Sequence, residues 1–247
     1  MKTVSSALPT TDADAAPPQS QRAKEPTDPT NPVGSPSMPP EDRFVPRFAA
    51  EPPQELLPYG RWADRLREEF LAACLRIEEE VGEPGDVVWF PDRTWGGRTY
   101  VPATCRTSSG LELYGVVSFA PAVEDGQKPE HFQATADWTE ETAQNNPDWR
   151  IDVCDEVVGG WRGELGNVAA MTLVWGTPVV DRVAIATAEL AGLTVDQCVL
   201  VENRFTLLAP DDYRGDTLEV AVFTGGGNEL ARESLYSDDG EDEDDVA

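Results

Sequence analysis

The chain has 247 residues, and its 46 acidic side chains outnumber its 19 basic ones, which gives a formal net charge of -27 at pH 7. Because no stretch clusters Arg and Lys, this charge opposes binding to nucleic acid or to anionic membranes. No apolar run reaches the roughly 18 residues of a membrane span, and the N-terminal residues lack the apolar core of a secretory signal. We therefore expect a cytoplasmic protein that binds neither nucleic acid nor membrane.

Residues 1–55 contain 12 of the 21 prolines and few large apolar side chains. Such a segment cannot bury enough surface to offset the entropy of ordering it, so it is predicted to be a disordered Pro-rich arm. Its apolar exception is the repeated Arg-Phe doublet of residues 43–48. This doublet is either the entry of a linker into its domain or a docking motif in which Phe44 and Phe48 are the anchors.

Residues 56–236 are predicted to form a single folded domain, which opens with a long amphipathic helix over Gly60 to Val81. Charged residues occupy the side of this helix opposite its apolar face, and Gly82 and Pro84 are expected to end it. The apolar positions recur at helical spacing: Trp62, Leu66, Phe70, Ala73, Cys74, Ile77 and Val81.

After the helix, short alternating runs predict a meander of antiparallel strands joined by hairpin turns. The run Pro91 to Gly97 has the composition of a turn region, and Thr139 is expected to cap a short helix through Asn145. The predicted strands of this part are residues 87–90, 99–105, 111–119 and 131–136.

The second half of the domain also indicates strands, and the segment of residues 179–193 is assigned as strand although its Ala and Leu content also suits a helix. Gly225 to Asn228 is interpreted as a flexible exit from the last strand. The overall fold class is α+β, mainly antiparallel sheet with the long helix packed on one face. The predicted strands are residues 149–153, 168–175, 179–193, 197–208 and 218–223.

Residues 237–247 form an acidic tail in which like-charge repulsion favours an extended, disordered chain. The simplest interpretation is a solubilising tail. The alternatives are a site for a basic partner or for a cation.

The single histidine, His131, restricts the catalytic possibilities, because triads, Cys-His dyads and two-histidine metal sites all need a positioned imidazole. None of the four cysteines forms a Cys-x-x-Cys pair, so they are interpreted as small buried hydrophobic residues. No metal and no cofactor is expected. The cysteines are Cys74, Cys105, Cys154 and Cys198.

The group Asp152, Asp155 and Glu156 lies between Trp149 and Trp161 in the sequence. Two carboxylates beside indole rings could perform general acid and base chemistry on a saccharide, or hold a divalent cation. With 46 acidic residues in the chain, such groups also arise by chance.

Trp89, Trp95 and Tyr100 bracket the predicted turn region of residues 91–97. Exposed aromatic side chains in a loop are typical of binding surfaces, so this is the preferred binding site within the domain. The alternative is that Trp95 folds back over the edge of the sheet.

These features favour a non-catalytic interaction or assembly protein, in which the arm docks a larger protein partner. The alternative is a small-molecule or saccharide-binding protein, with a carboxylate-dependent hydrolase as its catalytic form. A third hypothesis is an acidic nucleic-acid mimic that binds a basic protein. The oligomeric state stays open.

Overall fold

The computed structural model describes residues 57–58, 60–122, 128–162, 168–211 and 217–235. The predicted arm and tail, including Phe44 and Phe48, lie outside these ranges, and the division into arm, domain and tail stays a prediction. The prediction of a mainly antiparallel β-sheet fold is confirmed. The elements are α1 (Gly60–Cys74), β1 (Pro84–Trp89), β2 (Arg93–Trp95), β3 (Arg98–Thr107), β4 (Glu112–Ala120), β5 (Glu130–Thr139), β6 (Ile151–Arg162), β7 (Val168–Pro178), β8 (Ile185–Leu190), β9 (Leu193–Val199), β10 (Phe205–Asp211), β11 (Leu218–Phe223) and β12 (Glu229–Ser234).

Helix α1 is shorter than predicted, because it ends at Cys74 instead of Val81. After Cys74, the Leu75 N–H still bonds the Leu71 carbonyl four residues back, but the N–H groups of Arg76 and Ile77 bond carbonyls three residues back, as in tight turns. Three consecutive glutamates follow at residues 78–80, and negative charge is unfavourable at the C-terminal end of a helix. Ile77 and Val81 keep their apolar packing, but they do so from irregular chain. No helix in the described ranges has the length and apolar character that crossing a bilayer requires.

The first sheet, called sheet A, has the strand order β1-β3-β4-β5, with β2 paired to β3. All of these pairs are antiparallel. One face of sheet A packs against α1, since Leu66 and Phe70 of the helix share a core with Val101 and Val117 of the sheet. The other face of sheet A points at a second sheet.

Sheet B has the order β10-β7-β6, and sheet C has the order β12-β11-β8-β9. Sheet B lies between the other two: Leu208 packs into a core shared with Tyr100 of sheet A, and Leu207 packs into a core shared with Val220 of sheet C. Every residue of β10 is buried, as expected for a strand covered on both faces. The layers therefore follow the order helix, sheet A, sheet B, sheet C.

Two predicted strands of the second half are interrupted. The segment assigned to residues 179–193 becomes strand at Ile185, where β8 begins. A turn at Ala191 and Gly192, both with positive φ, joins β8 to β9, which begins at Leu193. The segment assigned to residues 197–208 breaks at Glu202 and Asn203, whose φ angles of 49° and 62° suit a tight hairpin turn. Alternating apolar residues on both sides of this turn conceal it in the sequence.

Two local predictions are wrong. Thr139 accepts a hydrogen bond from the N–H of Glu141, but the chain beyond it forms turns around the Thr142 carbonyl and no helix. Gly225 to Asn228 is not the exit from a last strand. It closes a hairpin between β11 and β12, with hydrogen bonds between Thr224 and Asn228 and a positive φ of 82° at Gly227.

Candidate functional site

A cavity of about 240 Å³ opens where the inner face of sheet A meets β6, and we call it the β5–β6 cavity. In the strand orders of the two sheets, β5 ends sheet A and β6 ends sheet B. The cavity is lined by Arg98, Tyr100, Val116, Ser118, Gln133, Thr135, Glu156, Val157 and Val158.

The alternation of β5 explains why the two layers do not close here. Its apolar side chains, such as Ala134 and Trp138, pack on the α1 side of sheet A. Gln133, Thr135 and Asp137 therefore project from the other face, towards β6. Polar side chains resist burial in a dry interface, so a gap lined by polar groups stays between the layers.

Arg98 supplies the positive charge of the cavity. Its Nη2 donates to Ser118 Oγ at 2.9 Å and to the His131 carbonyl at 2.9 Å. Its Nε is buried and has no hydrogen-bond partner among the residues that the structure describes. Arg98 forms no ion pair with any carboxylate that the structure describes. Within the described residues the guanidinium is thus held by neutral oxygens, and it keeps unused donor capacity.

Glu156 supplies a negative charge from the β6 side. The Thr135 hydroxyl donates a hydrogen bond to its carboxylate. Burial raises the pKa of Glu156, the Thr135 hydrogen bond lowers it, and the carboxylates of Asp155 and Asp137 raise it further. The carboxylate is therefore partly desolvated and has no cation bonded to it among the described residues.

Tyr100 closes the floor of the cavity. Its side chain is buried, and its hydroxyl donates to the Val158 carbonyl at 3.3 Å. The strand β6 has a bulge between Val157 and Gly159, which turns this carbonyl towards sheet A. Burial raises the pKa of Tyr100, so the hydroxyl stays protonated as a hydrogen-bond donor at neutral pH.

Acidic side chains continue from Glu156 towards the start of β6 along the same face. Burial raises the pKa of Glu112 to about 7, the Asp152 carboxylate adds to this rise, and Arg106 opposes it. Asp152 accepts a hydrogen bond from the Ala143 N–H at 3.0 Å. In the described ranges, no group of three or more His, Cys, Asp or Glu side chains is arranged to hold a metal ion.

The predicted carboxylate group is divided by the strand that carries it. Successive side chains of β6 point to opposite faces, so Asp152 and Glu156 face sheet A while Asp155 projects to the other side. Val153 marks that other side, because it packs into the core shared with sheet C. Asp152 and Glu156 are four residues apart, a Cα separation of about 13 Å along a strand.

The predicted aromatic residues also fall in different places. Trp89 is buried against α1, with its ring centroid 6.2 Å from that of Phe70. Trp95 is half-buried in the core between sheets A and B, next to Gly159, where an added Cβ would lie 3.3 Å from the indole Nε1. Of the three predicted aromatics, only Tyr100 lines the β5–β6 cavity. A binding role for Trp89, Trp95, Phe44 and Phe48 stays a prediction.

Several cavity residues were missed in the sequence analysis, namely Arg98, Ser118, Gln133 and Thr135. Two of them, Gln133 and Thr135, could have been found from a sequence pattern: apolar and polar side chains alternate at every position of residues 132–138. That pattern indicates a strand with one apolar and one polar face. The partner of the polar face, β6, comes from another sheet and is not indicated by local sequence.

The cavity thus lies between two edge strands, with a guanidinium on one wall and a carboxylate on the opposite wall.

Comparison with protein-family models, with curated proteins and with solved structures finds no match to this chain.

Proposed function

We propose that this protein is a non-catalytic binding protein whose β-rich domain takes a small polar ligand into the β5–β6 cavity. The observation that carries the proposal is the Arg98 guanidinium. It lines the cavity, and in the described part of the chain it bonds only neutral oxygens and has a buried Nε without a partner. Ligand sites in proteins are concave and largely apolar, with a few convergent polar groups. Val116, Val158 and the Tyr100 ring supply the apolar part.

The positions of the acidic residues support binding over hydrolysis. Paired carboxyl groups in glycoside hydrolases lie roughly 5 to 9.5 Å apart across one sugar ring. Asp155 projects away from Asp152 and Glu156, and the latter two are separated by about 13 Å of strand. The Ser118 hydroxyl accepts a hydrogen bond from Arg98, so its nearest described partner is a cation and not a base.

Ligand binding can be tested with matched tryptophan substitutions. Gln133 is exposed on β5 and lines the cavity, whereas Gln197 is exposed on β9 of sheet C. Gln133→Trp should fill the cavity, and Gln197→Trp should leave it open. Calorimetric titration would use separate probes at millimolar concentration: a neutral sugar, an alkanoate, an alkylamine and an amino acid.

We expect at least one probe to bind the wild type and Gln197→Trp but not Gln133→Trp. The proposal is overturned if none of these probes binds the wild type, or if Gln133→Trp binds them as well as the wild type does. A shared thermal unfolding midpoint of the two variants would establish that both are folded.

A second candidate function is docking of a protein partner through the arm, supported by the Arg-Phe doublet of residues 43–48 within a Pro-rich segment. Proteins that co-purify with the full chain would be compared with those that co-purify with a chain lacking residues 1–55. Loss of a partner would support docking, and an unchanged set would contradict it. A Phe44→Ala, Phe48→Ala double variant would separate the motif from the rest of the arm.

We further propose a cytoplasmic location. The four cysteines are free thiols, and three of them are buried, which suits a reducing compartment. A fluorescent fusion or cell fractionation would test this directly.

A further inference from the structure

The β5–β6 cavity has opposite charges beside two neighbouring rows of sheet A, with Arg98 bonded to one row and Glu156 of β6 bonded to the next. Ser118, which Arg98 bonds, lies in register with Tyr100 and Gln133. The next row on the same face pairs Val116 with Thr135, which bonds Glu156. Rows on one face of a sheet are two residues, or about 7 Å, apart. The guanidinium and the carboxylate thus mark the two ends of one short site.

The space between these ends is mostly apolar. Val116 lies on the sheet A wall, Val157 and Val158 lie on the β6 wall, and the Tyr100 ring lies beneath. Gln133 adds one amide at the open edge of the cavity. A ligand that spans the site would therefore have a short apolar middle and a polar group at each end.

Arg98 differs from the other arginines for which the structure gives ionic contacts. Arg93 lies 3.0 Å from Asp196, and Arg232 bonds Glu189 at 2.7 Å. Arg98 instead has two neutral oxygen partners, and its Nε has none among the described side chains and carbonyls. The Arg98 guanidinium is half-buried and has no described counter-ion. A carboxylate is its best-matched partner, because two parallel N–H···O bonds form.

Glu156 is the negatively charged counterpart of Arg98, and no described cation is bonded to it. One hydroxyl, that of Thr135, bonds its carboxylate. An ionised carboxylate offers about four acceptor sites, so further donors can be accommodated. An ammonium group supplies three donors and the opposite charge.

We propose that the ligand is a small zwitterion of the ω-amino acid type, with its carboxylate on Arg98, its ammonium on Glu156 and a short methylene chain between them. This inference rests on the proposed function, because it assigns a chemical class to the ligand of the same cavity. Charges separated by several Å match the two rows better than the adjacent charges of an α-amino acid.

Calorimetric titration of the full chain with five probes tests this assignment: glycine, 4-aminobutanoate, 6-aminohexanoate, butanoate and butylamine. We expect 4-aminobutanoate or 6-aminohexanoate to bind about tenfold or more tightly than butanoate, butylamine and glycine, since each of these lacks one charged contact or the required span.

Two variants test the two ends of the site independently. Glu156→Gln, which is nearly isosteric, should weaken the ω-amino acid by about tenfold or more and leave butanoate unchanged. Arg98→Gln should weaken both of these probes. Arg150→Gln, at an exposed arginine with no ionic partner among the contacts described, is the control and should change neither.

Each outcome decides between the two proposals. Equal affinities for butanoate and 4-aminobutanoate, or an unchanged affinity in Glu156→Gln, would overturn the zwitterion while leaving the cavity as a binding site. Binding of a sugar alone, abolished by Gln133→Trp, would do the same. Failure of every probe to bind would overturn both proposals.

Discussion

Sheet B faces another sheet on each side, and its two interfaces differ. The interface with sheet C is formed by apolar side chains such as Leu207 and Val220, both fully buried. The interface with sheet A is equally apolar around Trp175 and Leu208, but at its β5 and β6 edge it is polar and contains a cavity. The difference shows that the candidate site arises where two sheets separate at their polar edges, next to a closely packed apolar core.

The largest loss of stability is expected from removing the buried charge of Arg93, which links β2 to β9 of sheet C. Arg93 is 2% exposed, lies 3.0 Å from Asp196 and donates to the Thr206 carbonyl at 2.9 Å. Arg93→Gln should lower the free energy of unfolding by about 3 kcal/mol or more, because Asp196 is left buried without its cation. Denaturant titration monitored by tryptophan fluorescence would measure this loss.

The control for this prediction replaces both partners. The double variant Arg93→Met, Asp196→Leu should recover much of the stability, since no buried charge is then left unpaired. A single variant as stable as the wild type would contradict the structural role given to Arg93.

A matched pair of valines compares the two interfaces directly. Val220 is fully buried between sheets B and C, whereas Val116 lines the β5–β6 cavity. Val220→Ala should cost about 2–3 kcal/mol of unfolding free energy, because it opens a void in a closed core. Val116→Ala should cost about 1 kcal/mol, because the space it opens joins an existing cavity.

The same denaturant titration measures both valine variants, with the slope of the transition as a check that the unfolding stays comparable. Equal losses at the two positions would mean that the sheet A and sheet B interface is as tightly closed at its edge as the sheet B and sheet C interface.

The acidic pair of Glu112 and Asp152 predicts a pH dependence of stability. Burial and Asp152 raise the pKa of Glu112 to about 7, while Arg106 opposes the rise. The folded state therefore binds this proton more tightly than the unfolded state, whose carboxyl has the ordinary glutamate pKa of 4.5. The contribution is fully present below pH 4.5 and is lost as the pH rises towards 7, so ionised Glu112 destabilises the fold above that range.

Glu112→Gln removes this ionisation. At pH 8 the variant should be more stable than the wild type by about 1 kcal/mol, since water at a half-buried carboxylate screens part of the interaction. At pH 4 the difference should disappear. Unfolding curves at both pH values would measure the effect, and Glu140→Gln, at an exposed position, is the control. An equal difference at both pH values would contradict the assignment.

The smallest change in the free energy of unfolding is expected for a substitution of Arg98, in contrast to Arg93. Arg98→Gln should change the free energy of unfolding by no more than about 0.5 kcal/mol, because no described carboxylate loses its counter-ion and the bonds to neutral oxygens partly exchange for water. Thermal unfolding would check this. A loss as large as that of Arg93→Gln would indicate that Arg98 serves the fold and not a ligand.

Part of this architecture could be predicted from local sequence. The turn signals around Ser108 and Gly110 delimit β3 and β4, and the alternation of residues 218–223 identifies β11. The tight turn at Glu202 and Asn203 was missed because this pair contains no glycine. Two-residue hairpin turns are usually recognised in a sequence by pairs such as Asn-Gly or Asp-Gly. The end of α1 was missed because Ile77 and Val81 keep helical spacing while packing from irregular chain.

The candidate site could be predicted only in fragments. Tyr100 and Glu156 were identified as candidates, but for different sites and with different neighbours. Arg98 was not identified, because an arginine at the start of a strand is typical of solvent-exposed surface. Its distinctive property is the lack of a described ionic partner, and this depends on which side chains the folded chain places around it.

The amino-acid sequence by itself determined the antiparallel strands and the amphipathic helix, because alternation and helical spacing are local patterns that a strand or helix must satisfy to bury one face. The tertiary structure alone decided that sheet B is covered on both faces, that Asp155 points away from Asp152 and Glu156, and that Arg98 and Glu156 share one cavity. The physical reason is that stacking between sheets joins residues far apart in the chain, and no local period encodes which faces meet.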